Sequence, residues 1–323
     1  MSEFKENSFD VVGLGVSPLD ILALVDHFPT GDEVQQAIEV TAQGGGPVAT
    51  ALVTLARLGS RTAMLDAVGD DWRGRLILDE FRRENVSTGY IQVRSGFSSA
   101  TASILVRQGT GERAIYHFPG SAPELSPEEL PSEVIQSSRF LHVNGRHWEA
   151  CKKAVSDARK AGVKVSFDGG AGRYRPELKQ LIPEVDICIV AKQFVLAYTN
   201  KQSLAESAHD ILEEGPRLVV ITAGTQGSWI FEKGGTSFHQ PAFLLPGVID
   251  TTGCGDSYHG AFLFGMLHGF PLYQTACFAS AVAALNSLGL GGRAALPDYK
   301  SVINFIERQM PGKYHLPDLD PMK

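Results

Sequence analysis

Residues 250–257, DTTGCGDS, combine the residue types needed to hold an anion and to accept a proton. Glycines at 253 and 255 permit backbone conformations in which successive N–H groups point into one concavity, and a following helix adds positive potential there. Asp256 falls in the first turn of that helix, where its ionised carboxylate can take a proton from a hydroxyl. The segment therefore predicts phosphoryl transfer to a hydroxyl, with Asp256 as the base. The alternative is a capping carboxylate beside a tight turn.

Cys254 lies inside this segment, so its thiol is a second candidate for chemistry. The sequence shows no recognisable partner that would activate a nucleophilic cysteine, and we interpret Cys254 as a small residue chosen for its backbone. The other cysteines, Cys151, Cys188 and Cys277, are widely spaced and form no C-x-x-C pair, and the first ten residues lack the layout of a signal peptide. These features predict a reduced, cytoplasmic protein.

A second glycine-rich stretch, residues 44–46, precedes a predicted helix. Backbone can approach a polar ligand closely there, so the stretch is a candidate binding site for sugar hydroxyls; it is equally typical of a flexible loop. Gly13 and Gly15 resemble the start of a dinucleotide-binding fingerprint. Pro18 stands where the third glycine of that fingerprint belongs, which argues against a Rossmann dehydrogenase.

The elements that must position these residues follow an alternating pattern. Short apolar runs predict strands covered on both faces at 11–16, 62–68, 140–143, 164–167, 186–190 and 218–222. Stretches with apolar residues three and four apart predict helices at 47–58, 72–84, 147–161, 203–213 and 257–268. The pattern indicates an α/β fold with a mainly parallel sheet between layers of helices.

Two segments, 19–43 and 88–118, break this alternation because they contain several short β-like stretches joined by turns. If both leave the same side of the sheet, they can pair into a small accessory sheet. That sheet would lie above the carboxyl ends of the parallel strands, where open α/β sheets bind ligands. We therefore predict a β lid.

Composition narrows the function classes. The chain has 323 residues, 43% of them hydrophobic, which allows two domains or one large α/β domain with an insertion. The net charge is −7 and no basic run is present, so we expect no nucleic-acid partner. The longest apolar stretch, 273–290, is interrupted by polar residues, so it predicts a buried helix and no membrane partner. Residues 311–317 are rich in proline and glycine and predict irregular structure.

Several motifs together resemble the ribokinase-like (PfkB) carbohydrate kinase family, over nearly the whole chain. Residues 250–256 are similar to its D-T-x-G-A-G-D signature, with Cys254 in the usual alanine position. Residues 43–59, QGGGPVATALVTLARLG, are similar to its amino-terminal signature, and residues 68–74, VGDDWRG, to its G-D-D-x-x-G element. The resemblance implies a three-layer α/β/α sandwich with a β-sheet lid. It implies Asp256 as catalytic base and the amides of Gly253, Cys254 and Gly255 as the anion hole.

The resemblance also implies two binding regions. Asp20 matches the acidic residue with which the family binds two sugar hydroxyls, and Gly45, Gly46 and Thr50 belong to the substrate-side signature. Residues 219–228, VVITAGTQGS, are similar to a stretch that lines the nucleotide cleft, which assigns ATP binding to Thr222, Gly224 and Gly227. The helix at 277–286 and the loop at 289–292 look like the wall of the adenine pocket.

The most similar group that the motifs indicate is the 6-deoxy-6-sulfofructose kinases, through residues 44–50, 239–243 and 291–298. Arg146 matches the arginine that those enzymes direct at the anionic end of the substrate; an internal salt bridge is the alternative. Those kinases also carry a lysine in the lid segment, near where this chain has Asp32 and Glu33. Because an acidic pair repels a sulfonate, a neutral ketose or pentose stays open as the acceptor.

Metal binding is predicted on two grounds. The family commonly has N-x-x-E after the strand at 186–190, whereas this chain has AKQFV at 191–195; Mg²⁺ is still expected to arrive with ATP. Asp250 and Thr252 resemble a monovalent-cation loop, so K⁺ stimulation is expected. The histidines, among them His142, His147, His259 and His268, lack the spacing of metal ligands, and we expect them to be core or surface residues.

The sequence thus predicts an ATP-dependent kinase that acts on a primary hydroxyl of a furanose-type sugar or sugar derivative, fructose-, sulfofructose- or ribose-like. The predicted catalytic domain comprises residues 1–17, 48–94 and 119–323, and the predicted lid comprises residues 18–47 and 95–118. The resemblance implies a homodimer joined through the lids. The alternatives are a catalytically silent sugar or nucleotide sensor on the same fold and an α/β binding protein without a nucleotide.

Overall fold

The structure is a computed structural model, and it describes residues 9–313. Part of the stretch predicted to be irregular, 314–317, lies outside the described residues. The strands are β1 Val11–Leu14, β2 Leu19–Val25, β3 Glu39–Gly44, β4 Thr62–Gly69, β5 Val86–Ser87, β6 Ile91–Arg94, β7 Thr101–Arg107, β8 Arg113–Phe118, β9 Phe140–Val143, β10 Lys164–Gly169, β11 Ile187–Ala191, β12 Leu218–Thr222, β13 Ser228–Glu232 and β14 Ser237–Gln240. The α-helices are α1 Pro47–Arg57, α2 Trp72–Arg83, α3 Ser132–Gln136, α4 Trp148–Lys160, α5 Lys192–Thr199, α6 Leu204–Glu214, α7 Cys254–Leu267, α8 Leu272–Asn286 and α9 Tyr299–Gln309.

Ten strands form one large sheet in the order β14-β13-β12-β11-β10-β9-β1-β4-β5, with β6 pairing to β4. In this spatial order, every neighbouring pair between β12 and β5 is parallel, as is the pair β4 and β6. Strands β13 and β14 add an antiparallel edge that the sequence pattern did not predict. Strand order reverses at β1, which lies between β4 and β9. In such sheets ligands bind at the carboxyl ends of the strands beside the reversal point.

Helices cover both faces of this sheet, as the continuous apolar strands require. One buried core lies between the sheet and helices α1, α2, α7, α8 and α9. The second core lies on the other face, against α3, α4, α5 and α6. The apolar stretch predicted as a buried helix is α8, whose residues are largely inaccessible to solvent. Within residues 9–313, no helix is long and apolar enough to cross a membrane.

The predicted accessory sheet is confirmed. Strands β2 and β3 pair antiparallel, β7 and β8 pair antiparallel, and β2 and β7 join the two hairpins in parallel. One face of this four-stranded sheet is buried through Leu22, Leu24, Ile104 and Val106, which pack against Leu290. The division of the chain into a catalytic and a lid domain at the stated boundaries stays a prediction.

Candidate active site

The glycine-punctuated loop enters α7 as its sequence predicts. Gly253 has a left-handed backbone (φ 70°), and a Cβ there would lie 2.5 Å from the Cα of Gly292, so both its conformation and its packing require glycine. A Cβ on Gly255 would meet nothing within 4 Å, so the start of α7 borders open space. Asp256 lies in the first helical turn beside that space. Backbone N–H groups and a carboxylate therefore border one open site.

Asp250 holds this loop in place with both carboxylate oxygens. Oδ1 accepts hydrogen bonds from the N–H and the hydroxyl of Thr252 at 2.8 and 2.7 Å, and Oδ2 accepts one from the N–H of Gly291 at 2.9 Å. The side chain is fully buried. Three hydrogen bonds thus hold the Asp250 carboxylate in place and join the loop to Gly291.

A lid arginine that the sequence analysis missed reaches the same loop. Arg113, the first residue of β8, donates hydrogen bonds to the hydroxyls of Thr251 and Thr252 at 3.2 and 3.4 Å. Its guanidinium lies 4.0 Å from Asp250 Oδ1. The contact spans 138 residues of sequence, and only the pairing of the lid strands places Arg113 over the loop.

Burial and the neighbouring carboxylate of Asp168 raise the pKa of Asp256, while Arg173, His259 and Arg113 act in the opposite direction. Cys254 lies two residues earlier, and burial raises the pKa of its thiol to about 12. The thiol is therefore protonated at neutral pH and offers no thiolate nucleophile. The role of Asp256 as the base stays a prediction.

The opposite wall of the cleft carries Asp20, on β2 of the lid sheet. Gly45 packs so closely against it that a Cβ at position 45 would overlap the Asp20 carboxylate. Burial raises the pKa of Asp20 to about 7, and the charges of Asp256, Glu80 and Asp250 add to this rise while Arg293 opposes it. Since Asp256 acts on Asp20 electrostatically, the fold brings the two predicted functional carboxylates to one site.

Arg293 organises the glycine-rich loop, although the sequence analysis assigned it no role. Its buried guanidinium donates to the carbonyl of Gly45 at 2.8 Å, the hydroxyl of Thr50 at 3.1 Å and Glu80 Oε1 at 3.0 Å. Glu80 in turn accepts the N–H of Gly44. Thr50, predicted to bind substrate, is 1% exposed and is held by Arg293. The Thr50 hydroxyl thus helps to hold Arg293, which in turn holds the glycine-rich loop at residues 44–46.

Two arginines act electrostatically on a histidine of the lid sheet. His117 lies in register with Asp20 through Ala102, so both project from the same face of the lid sheet. Burial and the positive charges of Arg146 and Arg173 lower the pKa of His117. Arg146 follows β9 and Arg173 follows β10, which places both at the carboxyl ends of the central strands. We call His117, Arg146 and Arg173 the basic pocket.

The predicted nucleotide residues lie further along the same sheet edge. Thr222 ends β12, and Gly224 and Gly227 follow with left-handed backbone at φ 54° and 87°. A Cβ on Gly227 would overlap the carbonyl oxygen of Gln240, so the turn onto β13 requires glycine. Lys192, in the stretch that departs from N-x-x-E, donates to the side chain of Gln226 at 3.3 Å. A positive charge thus lies beside the predicted nucleotide loop.

The chain belongs to the pfkB family of carbohydrate kinases, whose family model matches residues 9–298. It is therefore a phosphotransferase that acts on a sugar hydroxyl, a sugar kinase of the ribokinase type. It is 26% identical to a 5-dehydro-2-deoxygluconokinase of Shouchella clausii, across 95% of this chain and 98% of that protein. It is 27% identical to a nucleoside kinase of Methanothermobacter thermautotrophicus, across 90% of this chain and 93% of that protein.

Solved structures share the fold. A putative ribokinase from Agrobacterium tumefaciens superimposes with a TM-score of 0.83 at 24% identity, covering 94% of this chain and 99% of that one. The ribokinase of Arabidopsis thaliana, solved with ribose and ATP, gives a TM-score of 0.80 at 22% identity, covering 93% and 99%. These likenesses agree with the three-layer sandwich and lid expected from the sequence.

Proposed function

We propose that this protein transfers the γ-phosphoryl group of ATP to a primary hydroxyl of a furanose-type sugar derivative. The observation that carries the proposal is the position of Asp256, which borders open space at the start of α7 and is close enough to Asp20 for their charges to interact. One carboxylate can then bind the acceptor while the other takes its proton.

In the reaction, Asp20 and the loop of Gly45 and Gly46 orient the acceptor. Asp256 takes the proton of the attacking hydroxyl while the oxygen of that hydroxyl forms a bond to the γ-phosphorus. The bond between the γ-phosphorus and the oxygen that bridges it to the β-phosphate breaks, and ADP is released. The amides of Gly253, Cys254 and Gly255 stabilise the transferring group. Mg²⁺ bound with ATP would neutralise part of the phosphate charge. Thr222, Gly224 and Gly227 contact the nucleotide.

The basic pocket supports an acceptor with an anionic end. Arg146 and Arg173 approach His117 on the cleft face of the lid, and arginine pairs well with sulfonate, phosphate or carboxylate. The 5-dehydro-2-deoxygluconokinases are named for a gluconate-derived acceptor, which is consistent with such a pocket. Glu33 has partners within its own segment, because its carboxylate lies 2.6 Å from His27 Nε2 and accepts the N–H of Thr30 at 3.1 Å on the protein surface.

A homodimer joined through the lids belongs to the same proposal. The outward face of the four-stranded sheet exposes apolar side chains, among them Val40 at 65%, Tyr116 at 71% and Phe118 at 49%. These residues share one face by strand register. A second copy of the lid would cover this face. Analytical ultracentrifugation of the purified protein tests the proposed dimer. A protein that sediments as a monomer at assay concentration contradicts it.

We further propose K⁺ stimulation, with oxygen atoms of Asp250 and Thr252 as ligands, because the Asp250 carboxylate accepts three hydrogen bonds and still has an acceptor site for a cation. Initial rates in K⁺, Na⁺ and a large organic cation test this. Equal rates in all three contradict it.

The deciding experiment measures ADP release with Mg·ATP and K⁺ against a panel of acceptors. The panel pairs anionic compounds (6-deoxy-6-sulfofructose, fructose 6-phosphate, 2-keto-3-deoxygluconate and 5-dehydro-2-deoxygluconate) with neutral fructose, ribose and nucleosides. We expect turnover of an anionic acceptor. Turnover of fructose or ribose alone overturns the anionic assignment and keeps the kinase. Nucleotide binding without turnover of any acceptor favours the silent sensor.

A further inference from the structure

Three buried side chains meet behind the catalytic turn, although they lie far apart in the sequence. They are His142 on β9, Asp168 on β10 and His259 on α7, at 0%, 2% and 4% exposure. Each offers a ligand atom, and these atoms all lie within 4.8 Å of one another. His259 Nε2 lies 4.0 Å from Asp168 Oδ1, and His259 is on α7 three residues after Asp256.

Each of the three side chains keeps a buried polar atom that no described residue satisfies. These atoms are His142 Nε2, Asp168 Oδ2 and His259 Nδ1. Buried polar groups in folded proteins nearly always have a partner. Three such atoms, one on each side chain of this cluster, therefore leave hydrogen-bonding or ligating capacity unused.

The chemical state of the cluster suits a cation. Burial lowers the pKa of His142 and of His259 to about 4, so both imidazoles are neutral at pH 7 and have a free lone pair. The Nδ1 of His142 already lies 3.2 Å from the Ser166 hydroxyl, and such a second bond fixes a ligating ring. Burial raises the pKa of Asp168 and the charge of Arg173 opposes this rise; a bound cation would act in the same direction as Arg173.

We propose that His142, Asp168 and His259 form a binding site for one divalent transition-metal ion of the zinc class. Two imidazoles and one carboxylate match the ligands that Zn²⁺ takes in sites with three protein ligands. Mg²⁺ prefers an all-oxygen environment, so this site is chemically distinct from that of the ion that enters with ATP. The bound ion would connect α7 to strands β9 and β10 directly behind Asp256. Under this proposal His142 and His259 are metal ligands, whereas the sequence predicted that they are core or surface residues.

The test uses the full chain without an affinity tag, stripped with a chelator and titrated with Zn²⁺. We expect about one equivalent to bind, measured by calorimetry and by elemental analysis after dialysis. His142→Leu should weaken Zn²⁺ binding by about 10- to 100-fold or more. Removing a residue that only hydrogen-bonds a metal ligand already lowers metal affinity by that factor, and removing the ligand itself should lower it at least as much. The matched control is His209→Leu, an exposed histidine on α6, which should bind Zn²⁺ as the wild type does.

A second variant protects the test against misfolding. Asp168→Asn keeps the shape of the side chain and removes its charge, and circular dichroism checks that each variant folds. Stripped wild type that takes up no Zn²⁺, or His142→Leu and Asp168→Asn variants that bind it as tightly as His209→Leu, overturn the proposal. Because the readout is metal content and affinity, the result is independent of whether the kinase acceptor is correctly assigned.

Discussion

The loop at 250–256 and the basic pocket lie in one cleft but are held in different ways. Asp250 is fully buried, and its carboxylate accepts hydrogen bonds from Thr252 of the same loop and from the N–H of Gly291. In the basic pocket, His117, Arg146 and Arg173 are exposed and belong to the lid and to two separate loops. In the proposed mechanism, the transfer chemistry rests on main chain in a fixed conformation, whereas acceptor choice rests on side chains at the surface.

This difference explains what each region contributes to function. A phosphoryl group is common to every kinase reaction, and backbone amides with one carboxylate are sufficient to act on it. Acceptors differ at the end remote from the reacting hydroxyl. His117 reaches this end from the lid and Arg146 from the segment after β9, so both can change without disturbing the loop at 250–256. The loop therefore indicates the reaction class, and the pocket indicates the substrate class.

The largest effect is expected at the loop. Asp256→Asn removes the base while keeping shape, and kcat should fall by about 10²–10⁴-fold because general base catalysis contributes that much. The KM values for ATP and acceptor should change little. Steady-state ADP release measures both constants, and Asp79→Asn, an exposed aspartate on α2, serves as the control. Turnover within a few-fold of wild type would show that another group takes the proton.

The second effect concerns the support of the acceptor loop. Arg293→Met leaves Glu80 buried without its partner, which should cost about 3–5 kcal/mol in the free energy of unfolding. Arg82→Met removes an ion pair with Asp79 in which both side chains are 59% exposed, and should cost only about 0–1 kcal/mol. Urea unfolding compares the two. Equal costs would contradict the structural role assigned to Arg293.

A smaller effect is expected from the pH dependence of Asp20. Its pKa is raised to about 7, so the carboxylate that accepts sugar hydroxyl bonds is mainly protonated below that pH and mainly ionised above it. The ratio kcat/KM for the acceptor should rise about ninefold from about pH 6 to about pH 8, as the ionised fraction goes from about a tenth to nine-tenths. The Asp20→Asn variant should lose this rise. A wild-type profile that falls with pH would reverse the assignment.

The sequence alone was sufficient for the elements whose signals are local. The alternation of apolar runs and helices predicted the large sheet, and the glycines at 253 and 255 predicted the turn into α7. The resemblance to carbohydrate kinases rested on such contiguous motifs, and the family match at residues 9–298 bears it out. The roles of the individual site residues stay predictions.

What the sequence did not reveal depends on contacts between distant segments. Arg113 meets Thr251 across 138 residues, and Arg293 meets Thr50 across 243. His142 and His259 come together only because α7 packs over β9. Spacing along the chain contains no signal for such pairs. The sequence does not distinguish a buried arginine or histidine from an exposed one. Only the topology of the two sheets brings these groups into one cleft.

The most direct test of the division between loop and pocket measures acceptor preference after Arg146 is removed from the basic pocket, because Arg173 also acts on the pKa of Asp256. The variant Arg146→Ala is assayed with 6-deoxy-6-sulfofructose, or whichever anionic acceptor the panel identifies, and with fructose, and kcat/KM is taken as a ratio. We predict that the ratio falls by about 10- to 100-fold, since one charge-assisted bond contributes about 1.5–3 kcal/mol, while kcat on the neutral sugar is retained. An unchanged ratio would contradict the account, because it would place acceptor selection outside the basic pocket.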